Sequence, residues 1–323
     1  MSVSPSSRES GSGARTDREV ARVSALSGGA DGTLRLWDIE TGAELRCFEG
    51  HEGTVRCLTM LPDGRRVLSG SSDGTARLWD IDTGAELQWF VGSEAWVNAV
   101  MALPDGRRVL TVGEARMARV WDIETGAELN RFEEPKYENL PDYTGFFNSM
   151  TVLPDGRRAL SGGHLFGLWD IDTGAELRSL RLGHDGEWAT CLVPLRDGRR
   201  ILSSGQDWML RLWDIEAGEQ LCRFKGHDYH VTSAAVLPDE RRVLSGSDDE
   251  TVRLWDIEDG MELRCFRGHT SSVECVAALP DGRRVLSGST DRTLILWDID
   301  SGAELRRFIG HEGSIYSVVV LTL

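Results

Sequence analysis

The chain has 323 residues, of which 40% are hydrophobic and 27% charged, a composition typical of globular proteins that excludes collagen-like and low-complexity classes. Its 52 acidic and 36 basic residues give a formal net charge of -16, which argues against a nucleic-acid partner because such a surface repels a phosphate backbone. No apolar run approaches the roughly 18 residues that a membrane span requires, so no membrane segment is expected.

The first 21 residues are rich in serine, glycine and charge, and they contain no apolar core of the kind that a signal peptide carries. They predict a disordered tail over residues 1–21. The six cysteines form no CxxC pair, and in a chain without an export signal they indicate a cytoplasmic protein.

A repeat with the dipeptide Trp-Asp fills the rest of the chain, at spacings of 42, 42, 48, 44, 42 and 42 residues. Within one period, residues 51–90, turn residues such as Pro62-Asp63-Gly64 separate four short apolar runs. Proline presets a turn dihedral and glycine accepts positive φ, so each period predicts four β-strands. A single four-stranded sheet cannot cover both of its faces, whereas radial stacking against similar neighbours can. The sequence therefore predicts one β-propeller domain over residues 22–323.

The Gly-His before the first strand, the Leu-Ser-Gly of the second, the Asp-Gly-Thr turn and the Leu-Trp-Asp ending resemble the WD-repeat family over about residues 22–323. The resemblance implies an all-β, seven-bladed propeller with four antiparallel strands in each blade. The first copy begins with its second strand, at Val23, and the chain ends on a lone first strand, Ile315 to Leu321. We expect this strand to complete the N-terminal blade and close the ring, which removes exposed sheet edges.

Five copies carry a serine, a histidine and an aspartate together with the tryptophan. Ser, His and Asp are also the elements of a hydrolase triad, but a catalytic site needs one copy with an accessible nucleophile, whereas this set recurs and always includes the indole. A buried indole N–H needs an acceptor, and the family resemblance implies a structural tetrad, so no enzyme, metal or cofactor is expected. The tetrads are His51, Ser69, Asp73, Trp79; His184, Ser203, Asp207, Trp213; His227, Ser245, Asp249, Trp255; His269, Ser287, Asp291, Trp297; and, across the chain ends, His311, Ser27, Asp31, Trp37.

Copies three and four depart most from the pattern. Ser93 and Ala115 replace the histidine and the turn aspartate of the third copy, the fourth is two residues short at its turn, and residues 133–147 form an insertion between the two copies. Function in a near-identical array is expected where the copies differ. The resemblance implies a loop face around a central channel as the docking surface, and aromatic residues and a histidine fall in those loops: Trp96, Phe146, Trp208, Tyr137, Tyr143, Tyr229 and His230.

Two interpretations of these residues stay open: an interaction hot spot, or drift in which two decayed copies were repacked with aromatics. We predict a non-catalytic scaffold that binds protein or peptide partners on the loop face near blades three to six, as a monomeric propeller within a larger assembly. The alternatives are a small-ligand binder or enzyme that uses the channel, and a sensor domain of a larger effector system. An enzyme would need a cluster of unpaired titratable groups at the channel mouth. The sequence offers no nucleophile there, and its titratable residues at that place are Glu94, Glu187, Asp228 and His230.

The paired arginines of the recurring DGRR turns carry one further expectation. They lie in the sequence near acidic Glu-Leu strands. We expect them to form exposed ion pairs on the outer blade edges, each worth under about 1 kcal/mol.

Overall fold

The structure is a computed structural model that describes residues 23–91, 96–113, 117–133, 149–162, 166–180 and 189–322. Over these residues, 28 strands form seven four-stranded antiparallel sheets, here called blades 1 to 7. The predicted seven-bladed all-β propeller is therefore confirmed. Across the same ranges, no helix reaches the length and apolarity that a membrane crossing needs.

The first four blades contain the following strands, given from the innermost to the outermost. Blade 1 consists of β28 (Ile315–Thr322), β1 (Val23–Gly29), β2 (Leu34–Asp38) and β3 (Glu44–Phe48). Blade 2 consists of β4 (Val55–Met60), β5 (Arg66–Ser71), β6 (Thr75–Asp80) and β7 (Glu86–Val91). Blade 3 consists of β8 (Val97–Ala102), β9 (Arg108–Gly113), β10 (Met117–Asp122) and β11 (Glu128–Glu133). Blade 4 consists of β12 (Ser149–Val152), β13 (Arg158–Gly162), β14 (Phe166–Asp170) and β15 (Glu176–Leu180).

The remaining three blades follow the same order. Blade 5 consists of β16 (Ala189–Pro194), β17 (Arg200–Gly205), β18 (Leu210–Asp214) and β19 (Glu219–Phe224). Blade 6 consists of β20 (Val231–Val236), β21 (Arg242–Ser247), β22 (Thr251–Asp256) and β23 (Glu262–Arg267). Blade 7 consists of β24 (Val273–Ala278), β25 (Arg284–Ser289), β26 (Thr293–Asp298) and β27 (Glu304–Ile309).

The ring closes where the two ends of the chain meet. β28 pairs with β1 in antiparallel register from Val23 opposite Thr322 to Gly29 opposite Ile315. β28 also packs against the inner strands of blades 7 and 2, β24 and β4. The expected closure by the C-terminal strand is thus confirmed.

The hydrophobic core is divided among the interfaces between neighbouring blades. Phe90 on the outer strand of blade 2 packs against Trp121 of blade 3, with ring centroids 5.8 Å apart. Phe308 of blade 7 packs in the same way on Trp37 of blade 1, also at 5.8 Å. Since each blade buries its faces only against its neighbours, the stability of every blade depends on the closed ring.

The two ends of each blade carry different loops because consecutive strands run in opposite directions. The turn between the first and second strands and the turn between the third and fourth lie at one end. The turn between the second and third strands and the connection to the next blade lie at the other end, which we call the tetrad face because the tetrad histidines lie in those connections.

The arginines of the DGRR turns join neighbouring blades at the end opposite the tetrad face. Arg66 Nε donates to Asp63 of its own turn at 2.6 Å, and Arg66 Nη1 donates to Glu124 of blade 3 at 2.9 Å. The pair between Arg284 of blade 7 and Glu40 of blade 1 spans the ring closure at 2.7 Å. The expected ion pairs of these arginines are confirmed, but their expected placement on the outer blade edges was wrong, because each arginine reaches an acidic residue in a turn of its own or of the neighbouring blade.

Candidate interaction face

The complete tetrads are continuous chains of hydrogen bonds. In blade 6, the Trp255 indole N–H donates to Ser245 Oγ at 2.8 Å. Ser245 Oγ lies 2.7 Å from His227 Nε2, and His227 Nδ1 lies 2.7 Å from an Asp249 carboxylate oxygen. With the proton on Nδ1, the imidazole donates to the carboxylate and accepts from the serine hydroxyl. The chain joins the third strand to the second strand and to the connection from the preceding blade.

The structure brings together four complete tetrads: those of His51, His227, His269 and His311. The last one crosses the chain ends, with His311 Nε2 at 2.8 Å from Ser27 Oγ. In blade 5 the Trp213 indole donates to Ser203 at 2.8 Å and Asp207 pairs with Arg211, while His184 lies outside the described residues.

Burial makes these four sets unsuitable as hydrolase triads. The hydroxyls of Ser27, Ser69, Ser245 and Ser287 belong to residues with no exposed surface. Burial alone raises the pKa of Asp249, but hydrogen bonds from His227 and Thr251 outweigh it and hold that pKa well below its usual range. The serines are therefore enclosed and bonded on both sides, which leaves no path for a substrate to the oxygen.

Trp208 occupies the tight turn between the second and third strands of blade 5. Its φ is 67°. The equivalent turn residue is a glycine in blades 1 and 2, Gly32 at 76° and Gly74 at 84°, and a residue with a Cβ in blades 6 and 7, Glu250 at 67° and Arg292 at 70°. The left-handed conformation is unfavourable for a bulky residue. The indole is nevertheless 48% exposed, so burial in the core does not compensate for this backbone conformation.

Tyr229 and His230 lie beside Trp208 on the tetrad face. The rings of Trp208 and Tyr229 are 6.2 Å apart at an interplanar angle of 44°, and Tyr229 is 58% exposed. His230 Nδ1 lies 3.4 Å from an Asp248 carboxylate oxygen in the next turn. We call Trp208, Tyr229, His230 and Asp248 the Trp208 cluster.

Trp96 lies at the start of blade 3, two blades before Trp208 in blade 5. It is 45% exposed, and the Arg56 guanidinium of blade 2 lies 4.9 Å from the centre of its ring. Such a cation–π contact orients the indole without burying it. The other sequence-predicted aromatic residues, Tyr137, Tyr143 and Phe146, lie outside the described residues.

A carboxyl that the sequence analysis missed lies on the channel wall. Glu274 is the second residue of β24, and among the described residues no hydrogen bond or ion pair to its side chain is found. Burial and the nearby Asp248 raise its pKa to about 7, and Arg56 opposes them. The signal was the variation at the second position of the inner strands, which holds arginine, glutamate or tyrosine at Arg56, Glu274 and Tyr316. Of the expected channel-mouth groups, Asp228 and His230 are described, whereas Glu94 and Glu187 lie outside the described residues.

The other end of the channel holds an apolar cavity. Its volume is about 580 Å³, and it is lined mainly by valine, alanine and proline side chains of blades 5, 6, 7 and 1. Arg196 and Glu240, 3.3 Å apart, stand at its rim. In the part of the chain that the structure describes, no group of three or more His, Cys, Asp or Glu side chains could hold a metal ion.

The family model described as "WD domain, G-beta repeat" matches five stretches of the chain: residues 15–38, 42–80, 174–214, 218–256 and 260–298. The chain belongs to the WD-repeat family. WD-repeat propellers are in general protein-interaction scaffolds and are typically not enzymes. The matched stretches lie on both sides of copies three and four.

A mouse relative, F-box/WD repeat-containing protein 10, is 54% identical to this WD-repeat chain over 33 residues. That alignment covers 10% of this chain and 3% of the mouse protein. It is therefore a similarity of about one repeat, and it carries no argument about partners.

Proposed function

We propose that this protein is a non-catalytic scaffold that binds protein or peptide partners on the tetrad face near blades 3 to 6. The Trp208 cluster is the anchor and Trp96 a second contact. The proposal extends to Tyr137, Tyr143 and Phe146, which the sequence places in the connection between blades 3 and 4.

The exposed indole of Trp208 beside the exposed ring of Tyr229 is the observation that carries the proposal. The left-handed conformation of Trp208 costs about 1 kcal/mol for a residue with a Cβ, and half of the side chain remains in water. Drift that repacks a decayed blade fills gaps in the core, which this indole does not do. Tryptophan and tyrosine that lie together on a surface are instead typical of the few residues that dominate binding energy.

Affinity capture from a lysate with Trp208→Gly tests the anchor. Glycine restores the residue type of blades 1 and 2 at this turn and relieves the backbone, so the variant keeps its fold. Arg292→Gly is the matched control, because Arg292 occupies the equivalent turn of blade 7 with φ of 70°. We expect specific proteins to be retained by the wild type and by Arg292→Gly and to be lost with Trp208→Gly.

Equal capture by all three proteins, with unchanged thermal unfolding, would contradict the location of the site. Capture that is lost with Arg292→Gly as well would assign binding to the whole ring of turns rather than to the Trp208 cluster. Partners retained by the wild type are then bound in pure form, so that direct contact is measured as a dissociation constant for each variant.

A further inference from the structure

The apolar cavity at the end of the channel opposite the tetrad face has a mouth that departs from the repeat. Six blades have a turn between their first and second strands, and this turn usually holds a proline and, two residues later, a glycine. Arg196 replaces the proline in blade 5, and Glu240 replaces the glycine in blade 6. These two exceptions lie in neighbouring blades, with Arg196 Nε 3.3 Å from Glu240 Oε1. The other turns hold Pro62, Pro104, Pro154, Pro238 and Pro280, and Gly64, Gly106, Gly156, Gly198 and Gly282.

The ion pair itself does little for the stability of the fold. The side chain of Arg196 is 78% exposed, and exposed ion pairs contribute little to stability. Glu240 has a φ of 55°, in the left-handed region that a glycine adopts at lower cost. Both residues line the cavity, so they are placed to recognise a molecule at its mouth.

The wall of the cavity is apolar and includes small side chains. Ala235 and Ala277 line it in blades 6 and 7, two residues before the leucine of the turn, where blade 3 holds the larger Met101. The volume of about 580 Å³ lies within the roughly 300–1,000 Å³ of small-molecule sites, which are mostly apolar with a few polar groups that orient the ligand. Of the residues that line the cavity, only Arg196 and Glu240 are charged.

The guanidinium of Arg196 can bind an anionic group. Its Nε approaches Glu240, and among the described residues no other partner of this side chain is found. The two Nη atoms therefore keep donors in the planar arrangement that matches a carboxylate. A ligand carboxylate can bind them without breaking the pair with Glu240. An ammonium group would instead compete with Arg196 for the Glu240 carboxylate.

We propose that this cavity is a binding site for a small aliphatic carboxylate. The hydrocarbon chain enters the end of the channel and packs against the valine and alanine side chains, and the head group binds the Nη atoms of Arg196. Each methylene group that leaves water favours binding. The site lies at the opposite end of the channel from the Trp208 cluster, so the proposal does not depend on partner binding at that cluster.

Isothermal titration calorimetry of the full chain with decanoate, decanol and decylammonium tests the proposal. The titrations use concentrations at which the ligands form no micelles, and 0.15 M NaCl, in which the net charge of -16 is screened beyond about 8 Å. We expect one decanoate to bind each chain. Its dissociation constant should be about 10-fold or more below that of decanol, because hydrogen bonds to charged groups are the stronger ones. Decylammonium should bind more weakly than decanoate.

Two variants separate recognition of the head group from recognition of the chain. Arg196→Pro restores the residue type of the other turns, so the variant keeps its fold. It should weaken decanoate by about 10-fold and leave decanol unchanged. Ala277→Met introduces the residue type of Met101 into the cavity and should weaken both ligands by about 10-fold or more. Thr151→Met is the matched control, because Thr151 holds the equivalent position in blade 4 but does not line the cavity; it should bind both ligands like the wild type.

The proposal is overturned if the wild type binds no decanoate, or binds decanoate no more tightly than decanol. Decanoate binding that Arg196→Pro leaves unchanged would overturn the role of the guanidinium. Binding that a folded Ala277→Met retains in full would overturn the location. Thermal unfolding checks that each variant is folded, and Ala235→Met makes the same test from blade 6 if Ala277→Met is not. Partner capture by the Trp208 cluster should be the same for all these variants, so either proposal can fail without the other.

Discussion

Blades 2 and 3 are neighbours with the same four strands but different tetrads. In blade 2, the Trp79 indole donates to Ser69 Oγ at 2.8 Å, and His51 links that oxygen to Asp73. In blade 3, the Trp121 indole donates to Thr111 Oγ1 at 2.9 Å. The bond between indole and hydroxyl is common to both blades.

The difference shows which part of the tetrad the sheet itself requires. The sequence has Ser93 and Ala115 where blade 3 would carry its histidine and aspartate, yet β8 to β11 pair in the usual order. A hydroxyl that accepts from the indole satisfies the buried N–H. The histidine and the aspartate add hydrogen bonds that link the sheet to the connection from the preceding blade.

Removing the hydroxyl that accepts from the indole should destabilise the protein most, and the destabilisation should be larger in blade 2 than in blade 3. Ser69→Ala leaves both the Trp79 N–H and the His51 Nε2 without their partner, whereas Thr111→Val leaves the Trp121 N–H. At about 1–3 kcal/mol for each orphaned buried group, we expect Ser69→Ala to destabilise by about 2–4 kcal/mol and Thr111→Val by about half as much. Urea unfolding midpoints measure the difference. Equal midpoints would show that the histidine contributes nothing to the hydroxyl it faces.

Removing the histidine should have an intermediate effect that depends on the position in the ring. His311→Ala removes the partner of Ser27 and also a tie across the chain ends, whereas His269→Ala acts within a continuous stretch of chain. We expect both to lower Tm, His311→Ala by more, with about 1–3 kcal/mol lost from the orphaned group in each case. Equal melting temperatures would contradict a special role of the closure tetrad.

Acid should destabilise the folded protein by protonating the tetrads, and the loss from each blade should be smaller than the effect of the substitutions above. Burial lowers the pKa of His51. Burial raises the pKa of Asp73, but hydrogen bonds from Thr75 and His51 outweigh it, and the net shift is downward. A group whose pKa is lower in the folded than in the unfolded protein binds fewer protons when folded, so its contribution is complete above the unfolded pKa and is lost as pH falls. The loss should therefore begin below about pH 6.5 for the histidine and below about pH 4 for the carboxyl.

Asp73→Asn tests this linkage. At pH 7 the variant should melt below the wild type, and the gap should narrow as the pH falls from 5 to 3. Glu52→Gln is the control, because Glu52 is an exposed carboxylate in the same connection. A gap in Tm that stays constant with pH would show that Asp73 acts only through its shape.

The fold could be predicted from the sequence because the same turn and strand signals recur with each copy. A turn such as Pro62-Asp63-Gly64 is recognisable in a single copy, and the number of copies gives the number of blades. The first strand at Ile315 has no second strand after it in the chain, and the blade that starts at Val23 lacks a first strand. The sequence therefore also predicted that these two strands pair and close the ring.

The site was predicted less completely because it depends on contacts between copies. The position of Trp208 in a turn followed from alignment of the repeats, but its pairing with Tyr229 across two blades did not. Glu274 and the Arg56–Trp96 contact were missed because the inner strands were interpreted only as core.

The sequence by itself determined the local structure and the number of blades, since turns, strand alternation and the tetrad residues act within about 42 residues. Only the tertiary structure decided which side chains of different blades meet and which remain in water. The physical reason is that the blades spread apart with distance from the axis. Equivalent positions are thus enclosed at an inner strand and open at an outer one, and exposure is a property of the closed ring rather than of the repeat.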